Sequence, residues 1–248
     1  MRITVACACC VTIVGCSSGY HSSEMSAALE STKPSYASTS FASFSVADIE
    51  ATKPQLKLPA RIAIAPPVQA YRPSYTDRHW ASQLNTWSPE EVDVLQALEK
   101  PLRAAGIASE VVVLPSSLVA VCGDRDESCR VDAERAAAAR ARADALLMVD
   151  LATDTDEYVN PASALYLTII GMWLVPGTHR NALTVAEGVL IDNRNEYLYA
   201  FARGQGESKS LRPLIYADTA SVVHSSRVEA LRSFDKAFLD QARQLAVH

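Results

Sequence analysis

Between residues 59 and 248 the apolar positions follow two periods, and their alternation lays out the domain. Arg61-Ile-Ala-Ile-Ala65 is a short apolar run stopped by Pro66-Pro67, which suits a buried strand. Val111 to Leu114, ended at Pro115, and Ala145 to Leu151 are two more runs of the same kind. Thr184 to Ile191 and Glu196 to Ala202 flank the polar turn Asp192-Asn-Arg-Asn195, the pattern of a β-hairpin. Helical spacing appears between these runs. Ser88-Pro89-Glu90-Glu91 reads as an N-cap, a proline at the first helical position and acids in the first turn. Val92, Leu95, Leu98 or Glu99, and Leu102 continue that face until Gly106 stops it. Asp132 to Ala143, rich in alanine and arginine, predicts a second helix, and Val228, Leu231, Phe234, Phe238, Ala242 and Leu245 mark one face of a long third. The order predicts an α/β fold: a mixed sheet of about five strands covered by helices.

One segment breaks the amphipathic rule. Pro161 to Val175, between Asn160 and Pro176-Gly177, is apolar on every face; its Asn-Pro start and Pro-Gly stop predict an extra apolar helix between the third and fourth strands. At 1.5 Å per residue it reaches only about 21 Å, too short for a bilayer. Two readings stand: a buried element between sheet and helices, or an exposed patch for a partner or the membrane surface in which Tyr166, Met172, Trp173 and Leu174 do the contacting.

Before residue 59 the periodicity disappears. Residues 17 to 58 are rich in Ser, Thr and Ala with two Lys-Pro pairs, the composition of a tether spanning on the order of 35 Å as a flexible coil. Phe44, Val46 and Ile49 form the one stretch in it that suits docking on the domain. Ahead of the tether, Arg2 precedes the apolar run Ile3 to Val14 and then Gly15-Cys16-Ser17-Ser18, an export-signal layout. This segment resembles the lipobox of bacterial lipoproteins. The resemblance implies cleavage before Cys16, acylation of its thiol and amine, and anchoring by several chains at once, whereas a single fatty chain holds only marginally. Ser17 resembles the residues that permit transfer to the outer membrane, so the expected location is its periplasmic face. Residues 1–15 are then signal peptide, 16–58 acylated cysteine and tether, and 59–248 one domain.

Charge and cysteines narrow the partners. The formal charge of −5 becomes −6 when Arg2 is removed, with 22 basic against 28 acidic residues, which argues against nucleic acid. Cys122 and Cys129 bracket a short polar stretch, and an oxidising compartment predicts that they pair in a disulfide that pins a loop. Nothing supplies the remaining half of a zinc site.

The run Leu165-Tyr-Leu-Thr-Ile-Ile-Gly-Met-Trp-Leu-Val-Pro-Gly-Thr-His-Arg-Asn181, with Leu56-Lys-Leu-Pro-Ala-Arg-Ile-Ala-Ile-Ala65 and the lipobox, resembles the rhombotarget (rhombotail) lipoproteins of proteobacteria. That family is named for an association with a rhomboid-like sorting protease and for a Gly-Gly, apolar, basic tail. The present chain ends Gln241-Ala-Arg-Gln-Leu-Ala-Val-His248, so the sorting role is not carried over. The strand order also resembles the small α/β domain of envelope assembly lipoproteins of the curli-channel type, an analogy of fold alone.

Chemistry is sparse. The stretch from Pro67 to Trp87 reads as a long loop leaving the carboxyl end of the first strand, where open α/β sheets bind ligands, and it carries Tyr71, Arg72, Tyr75, Arg78, His79 and Trp80. Aromatics beside arginines suit an anionic or sugar-like surface. Asp150, Asp154, Asp156 and Glu157 lack the spacing of a calcium loop and read as a solvated strand end. Gly204-Gln-Gly206 lacks the third glycine and the helix of a phosphate cradle, and Ser233-Phe-Asp-Lys236 lacks the companion motifs of penicillin-recognising enzymes. With no catalytic residue, metal site or cofactor indicated, the expected function is a non-enzymatic protein-binding or assembly module. It is held to the membrane by its N-terminal lipid and works through an envelope protein partner or self-association. The alternative is a hydrolase of envelope glycan or peptide polymers using the 67–87 loop; a pore-forming oligomer requires exposure of residues 162–175.

Overall fold

A computed structural model describes residues 50–71, 86–119, 127–159, 178–212 and 218–245. Their strands are β1 (Ala60–Ile64), β2 (Val68–Tyr71), β3 (Ala108–Val113), β4 (Ala145–Val159), β5 (Thr178–Asp192) and β6 (Leu198–Arg212). The helices are α1 (Pro89–Ala97), α2 (Glu99–Ala104), α3 (Glu127–Arg140) and α4 (Thr219–Leu245). The sheet order is β3-β1-β4-β5-β6, with β2 also paired to β4. β3, β1, β4 and β2 run parallel, and β4-β5-β6 is an antiparallel meander. The mixed α/β sheet under helices is therefore present, with one strand more than the sequence pattern indicates.

The elements form where the apolar periods place them. Ser88 Oγ accepts from the Glu91 N–H while the Glu91 carboxylate accepts from the Ser88 N–H, a complete capping box with Pro89 at the first helical position. The helix that follows does not run unbroken to Leu102. Pro101 has no N–H to give to the fourth carbonyl back, and the chain breaks into α1 and α2 at Leu98. Gly106, at φ +72°, supplies the left-handed turn into β3.

Two layers cover the sheet. On one face Leu95 of α1, Leu98 at the break, Leu102 of α2 and Leu231, Phe234 and Phe238 of α4 close over Ile62, Ile64, Leu147, Val149 and Leu190, all of them buried. On the other, Val131, Ala137 and Ala138 of α3 cover Ala63, Leu146 and Met148. The alternation along β4, odd residues to one cluster and even to the other, is the strand period made visible.

α4 approaches β6 without side chains between them. A Cβ at Gly204 would lie 2.1 Å from the Phe234 amide nitrogen, and one at Gly206 2.2 Å from that of Ala230. On β5, a Cβ at Gly188 would meet the Phe234 ring at 2.7 Å. The Gly-Gln-Gly of the sequence is thus a seat for a helix backbone.

At residues 68–71 the expected 67–87 loop is corrected by the structure, while residues 72–85 lie outside the described residues. After Pro66-Pro67 the chain re-pairs with β4 as β2, so Tyr71 lies in a strand, in register with Thr153. At its other end Trp87 packs on the core and donates its indole N–H to the Ala65 carbonyl at 2.9 Å. The apolar segment 161–175, with Tyr166, Met172, Trp173 and Leu174, and the docking stretch of the tether lie outside the described residues. The residues on either side of it, Val159 and Thr178, pair with each other.

Candidate functional site

Two polar constructions stand out, one at each side of the parallel part of the sheet. The first is buried. Asp150 sits on β4 three residues beyond Leu147, the last partner of β1, and opposite Val68, the first residue of β2. From α3, Arg130 reaches the Asp150 carboxylate at 3.3 Å and Glu134 at 3.8 Å. Glu134 is 2 % exposed and Asp150 6 %. The sequence pattern reads Asp150 as part of a solvated strand end; the structure corrects this, because the even face of β4 runs under α3 and Arg130 compensates the charge.

Arg130 serves both acids here, and Glu134 Oε2 is buried with no hydrogen-bond partner. Burial pushes the Glu134 carboxyl up to about 7, the Arg130 charge opposes this and the Asp150 charge adds to it. The arrangement therefore holds a proton near neutrality, while Asp150 keeps the guanidinium. Its consequence for stability has a definite sign. Between about pH 4.5 and 7 the native state retains a proton that the unfolded chain releases, so stability falls as pH rises through that window and is flat above it. Glu134→Gln removes this component, so its stability relative to wild type improves by on the order of 3 kcal/mol from pH 4 to pH 8. Urea unfolding at both pH values checks it, and parallel curves for the two proteins would refute it. Asp235 of α4, also raised to about 7 by burial, leaves a slope of the same sign in both proteins.

The second construction is a strap. Residues just before β1 are held by the β5–β6 turn: Asn195 Nδ2 donates to the Lys53 carbonyl at 2.8 Å, and the Gln55 and Leu56 N–H groups donate to Tyr199 Oη at 3.0 and 2.8 Å. Tyr199 in turn donates to Asp192, which is fully buried, at 2.9 Å. Burial raises the Tyr199 hydroxyl above the usual phenol range, and the Asp192 bond adds to it, which keeps the proton on the ring oxygen. Arg194 bonds Asp144 at 3.0 Å, whose other oxygen accepts from the Arg61 N–H of β1. From α3, Arg135 bonds Glu196 and the Asn193 carbonyl. The expected polar turn at residues 192–195 is present, and it is a hub joining tether, β1 and α3.

Of the residues nominated from sequence, Cys129 lies in the first turn of α3, next to Arg130, and Tyr71 ends β2. Cys16, Arg72, Tyr75, Arg78, His79, Trp80 and Cys122 lie outside the described residues, as do those of the apolar segment. Topology still relates their points of attachment. β2 runs parallel to β4, so the chain leaves Tyr71 toward the Val159 end of the meander, the end that also bounds residues 160–177. The strap lies at the opposite end, beside Ala145 and Asp192. Fourteen rises along β4 separate the two, about 45 Å. Among the described residues no group of three or more His, Cys, Asp or Glu could hold a metal ion, and no helix is long and apolar enough to cross a membrane.

No family model matches the chain, and no curated protein matches it. Solved structures do show likeness. The lipoprotein GNA1162 from Neisseria meningitidis is 16 % identical with a TM-score of 0.30, covering 66 % of this chain and 90 % of that one. The PelC dodecamer from Paraburkholderia phytofirmans is 16 % identical with a TM-score of 0.29, covering 71 % and 87 %. A putative neuraminyllactose-binding hemagglutinin homolog from Helicobacter pylori is 10 % identical with a TM-score of 0.40, covering 76 % and 90 %. At such identities and scores none of the three bears on what this chain does.

Proposed function

We propose that this chain is a lipid-anchored envelope protein whose α/β domain serves as a non-enzymatic binding or assembly module at the periplasmic face of the outer membrane. The observation that supports it is the polarity of the domain. The tether is strapped to the β5–β6 turn, whereas Tyr71, the first residue nominated in the 67–87 stretch, and Val159 and Thr178, which flank the nominated segment 161–175, lie at or toward the other end of the meander, up to about 45 Å away. A domain held in this way turns the Val159 end of its meander away from its anchor. The hydrolase reading has less behind it. Glu134, whose carboxyl burial raises to about 7, and its neighbour Asp150 are 2 % and 6 % exposed, out of a polymer's reach. Cys129, paired with Cys122, fixes the start of α3 in this proposal and so steadies Arg130.

Cys16→Ala moves the protein from the membrane to the soluble envelope fraction, while the wild type gives an intact mass beginning at acylated Cys16 and lighter by the two thiol hydrogens of the disulfide. Membrane retention of the variant, or an unacylated wild type, overturns the anchor. For the partner face, a photo-crosslinker at Trp173 or Tyr75 captures envelope protein and one at Asn193 does not; equal capture at all three positions defeats the polarity.

A further inference from the structure

β6 is an edge strand of 15 residues, and among the described residues no strand pairs with its outer side. Long edges of this kind are templates for further pairing unless blunted by proline, a bulge or a cover. No proline interrupts Leu198 to Arg212, and its register shift against β5 is confined to its first residues, beside Tyr199. The face of β6 turned away from α4 is open, with Phe201 64 % and Leu211 49 % exposed. Between these apolar ends it carries Arg203, Gln205, Glu207 and Lys209, all exposed.

We propose that β6 pairs antiparallel with β6 of a second copy, about a two-fold axis through Gln205. The charges select this register. With Gln205 opposite itself, Arg203 faces Glu207 of the other copy, twice, by symmetry. Phe201 faces Lys209, a cation over a ring, and Tyr199, at the register shift and packed on the α4-side cluster, lies outside the paired stretch. A shift of two residues in one direction sets Arg203 against Lys209, and in the other sets Phe201 against Glu207. A shift of one residue turns the faces over and is closed to a strand with a helix seated on one side.

The opposite face bears the same test. There Gly204 meets Gly206, and Ala202 meets Ser208, all small because α4 lies on them. α4 also touches the neighbouring strand, since Ser226 Oγ and Thr184 Oγ1 of β5 are 2.8 Å apart.

This inference deepens the assembly reading by naming a second copy as one partner. Full-length protein in its membrane carries Gln205→Cys, with Arg203→Cys and the parent as controls, under mild oxidation. A covalent dimer from position 205, several-fold above both controls, is expected, because position 203 stands opposite Glu207 of the other copy and far from its own symmetry mate. In detergent, light scattering gives a dimer for the parent, a monomer for Arg203→Glu, and a dimer again for Arg203→Glu with Glu207→Arg. That rescue cannot come from within one copy, since the intrachain ion pair of Arg203 with Glu187 stays broken and that of Glu207 with Lys209 is lost as well. A monomeric parent, equal crosslinking at 203 and 205, or no rescue overturns the pairing. A monomer that still captures other envelope proteins through Trp173 overturns it and leaves the assembly reading in place.

Discussion

Gly204→Ala lowers the stability of the domain by about 3 kcal/mol or more, the upper range for overpacking a close contact. The reason is room and not backbone conformation. The added methyl would stand 2.1 Å from the Phe234 nitrogen, 2.4 Å from the Ala230 carbonyl oxygen and 2.6 Å from the Phe234 Cα, all of them backbone atoms of a 27-residue helix. Rotating a side chain cannot relieve such a contact, so α4 must lift from β6. Phe234 and Phe238, both fully buried, then lose their packing against β4 and β5. Gly106→Ala is the informative contrast. Nothing lies within 4 Å of the added methyl there, and its cost is the left-handed backbone alone, about 1 kcal/mol. Thermal unfolding separates the two, with a drop of about 6 °C or more expected for Gly204→Ala. Equal small shifts for both variants would show that the helix is not seated on the glycine.

Glu91→Ala is expected to cost about 3–5 kcal/mol, the range for breaking a buried ion pair from one side. Glu91 is 1 % exposed and Arg227 of α4 2 %; the guanidinium meets the carboxylate through Nε and, at 3.2 Å, through Nη2. Burial lowers the Arg227 pKa and Glu91 pulls it back, so this carboxylate is what compensates the buried cation. The same carboxylate closes the capping box of α1. Glu91→Gln keeps a cap acceptor and removes the charge, which places it between wild type and Ala. Glu91→Ala with Arg227→Met recovers most of the loss, because no charge is then left without compensation. Urea unfolding of the four proteins is the measurement; a double variant as weak as Glu91→Ala would locate the cost in the cap and not in the pair.

These two cases show what local pattern carries and what it omits. Ser88-Pro-Glu-Glu91 predicts a helix start, and the start is there, because capping chemistry is settled within four residues. That Glu91 also neutralises an arginine 136 residues later is a tertiary fact with no local signature. The strands at 61–65, 111–114 and 145–151 and the hairpin turn are legible from period and punctuation, whereas β2 is not. It is four residues long, follows two prolines, and exists because β4 offers it an edge. The extension of β4 past Leu151, through Asp154 and Asp156, escapes the pattern for a related reason. Strand propensity argues against aspartate, and cross-strand pairing with β5 overrides it. Gly204 and Gly206 carry a signal that a search for phosphate cradles passes over. Spaced by two on a strand, they mark one face left bare for another backbone, and that spacing is the available clue.

The strap at Lys53 to Leu56 changes how the protein bears mechanical load. A pull on the N-terminal chain reaches the hydrogen bonds from Gln55 and Leu56 to Tyr199, and that from Asn195 to Lys53, before it reaches β1. The tension passes into the turn that joins β5 and β6, two strands of 15 residues paired along nearly their whole length. β1, five residues long, is thereby spared from being peeled off first.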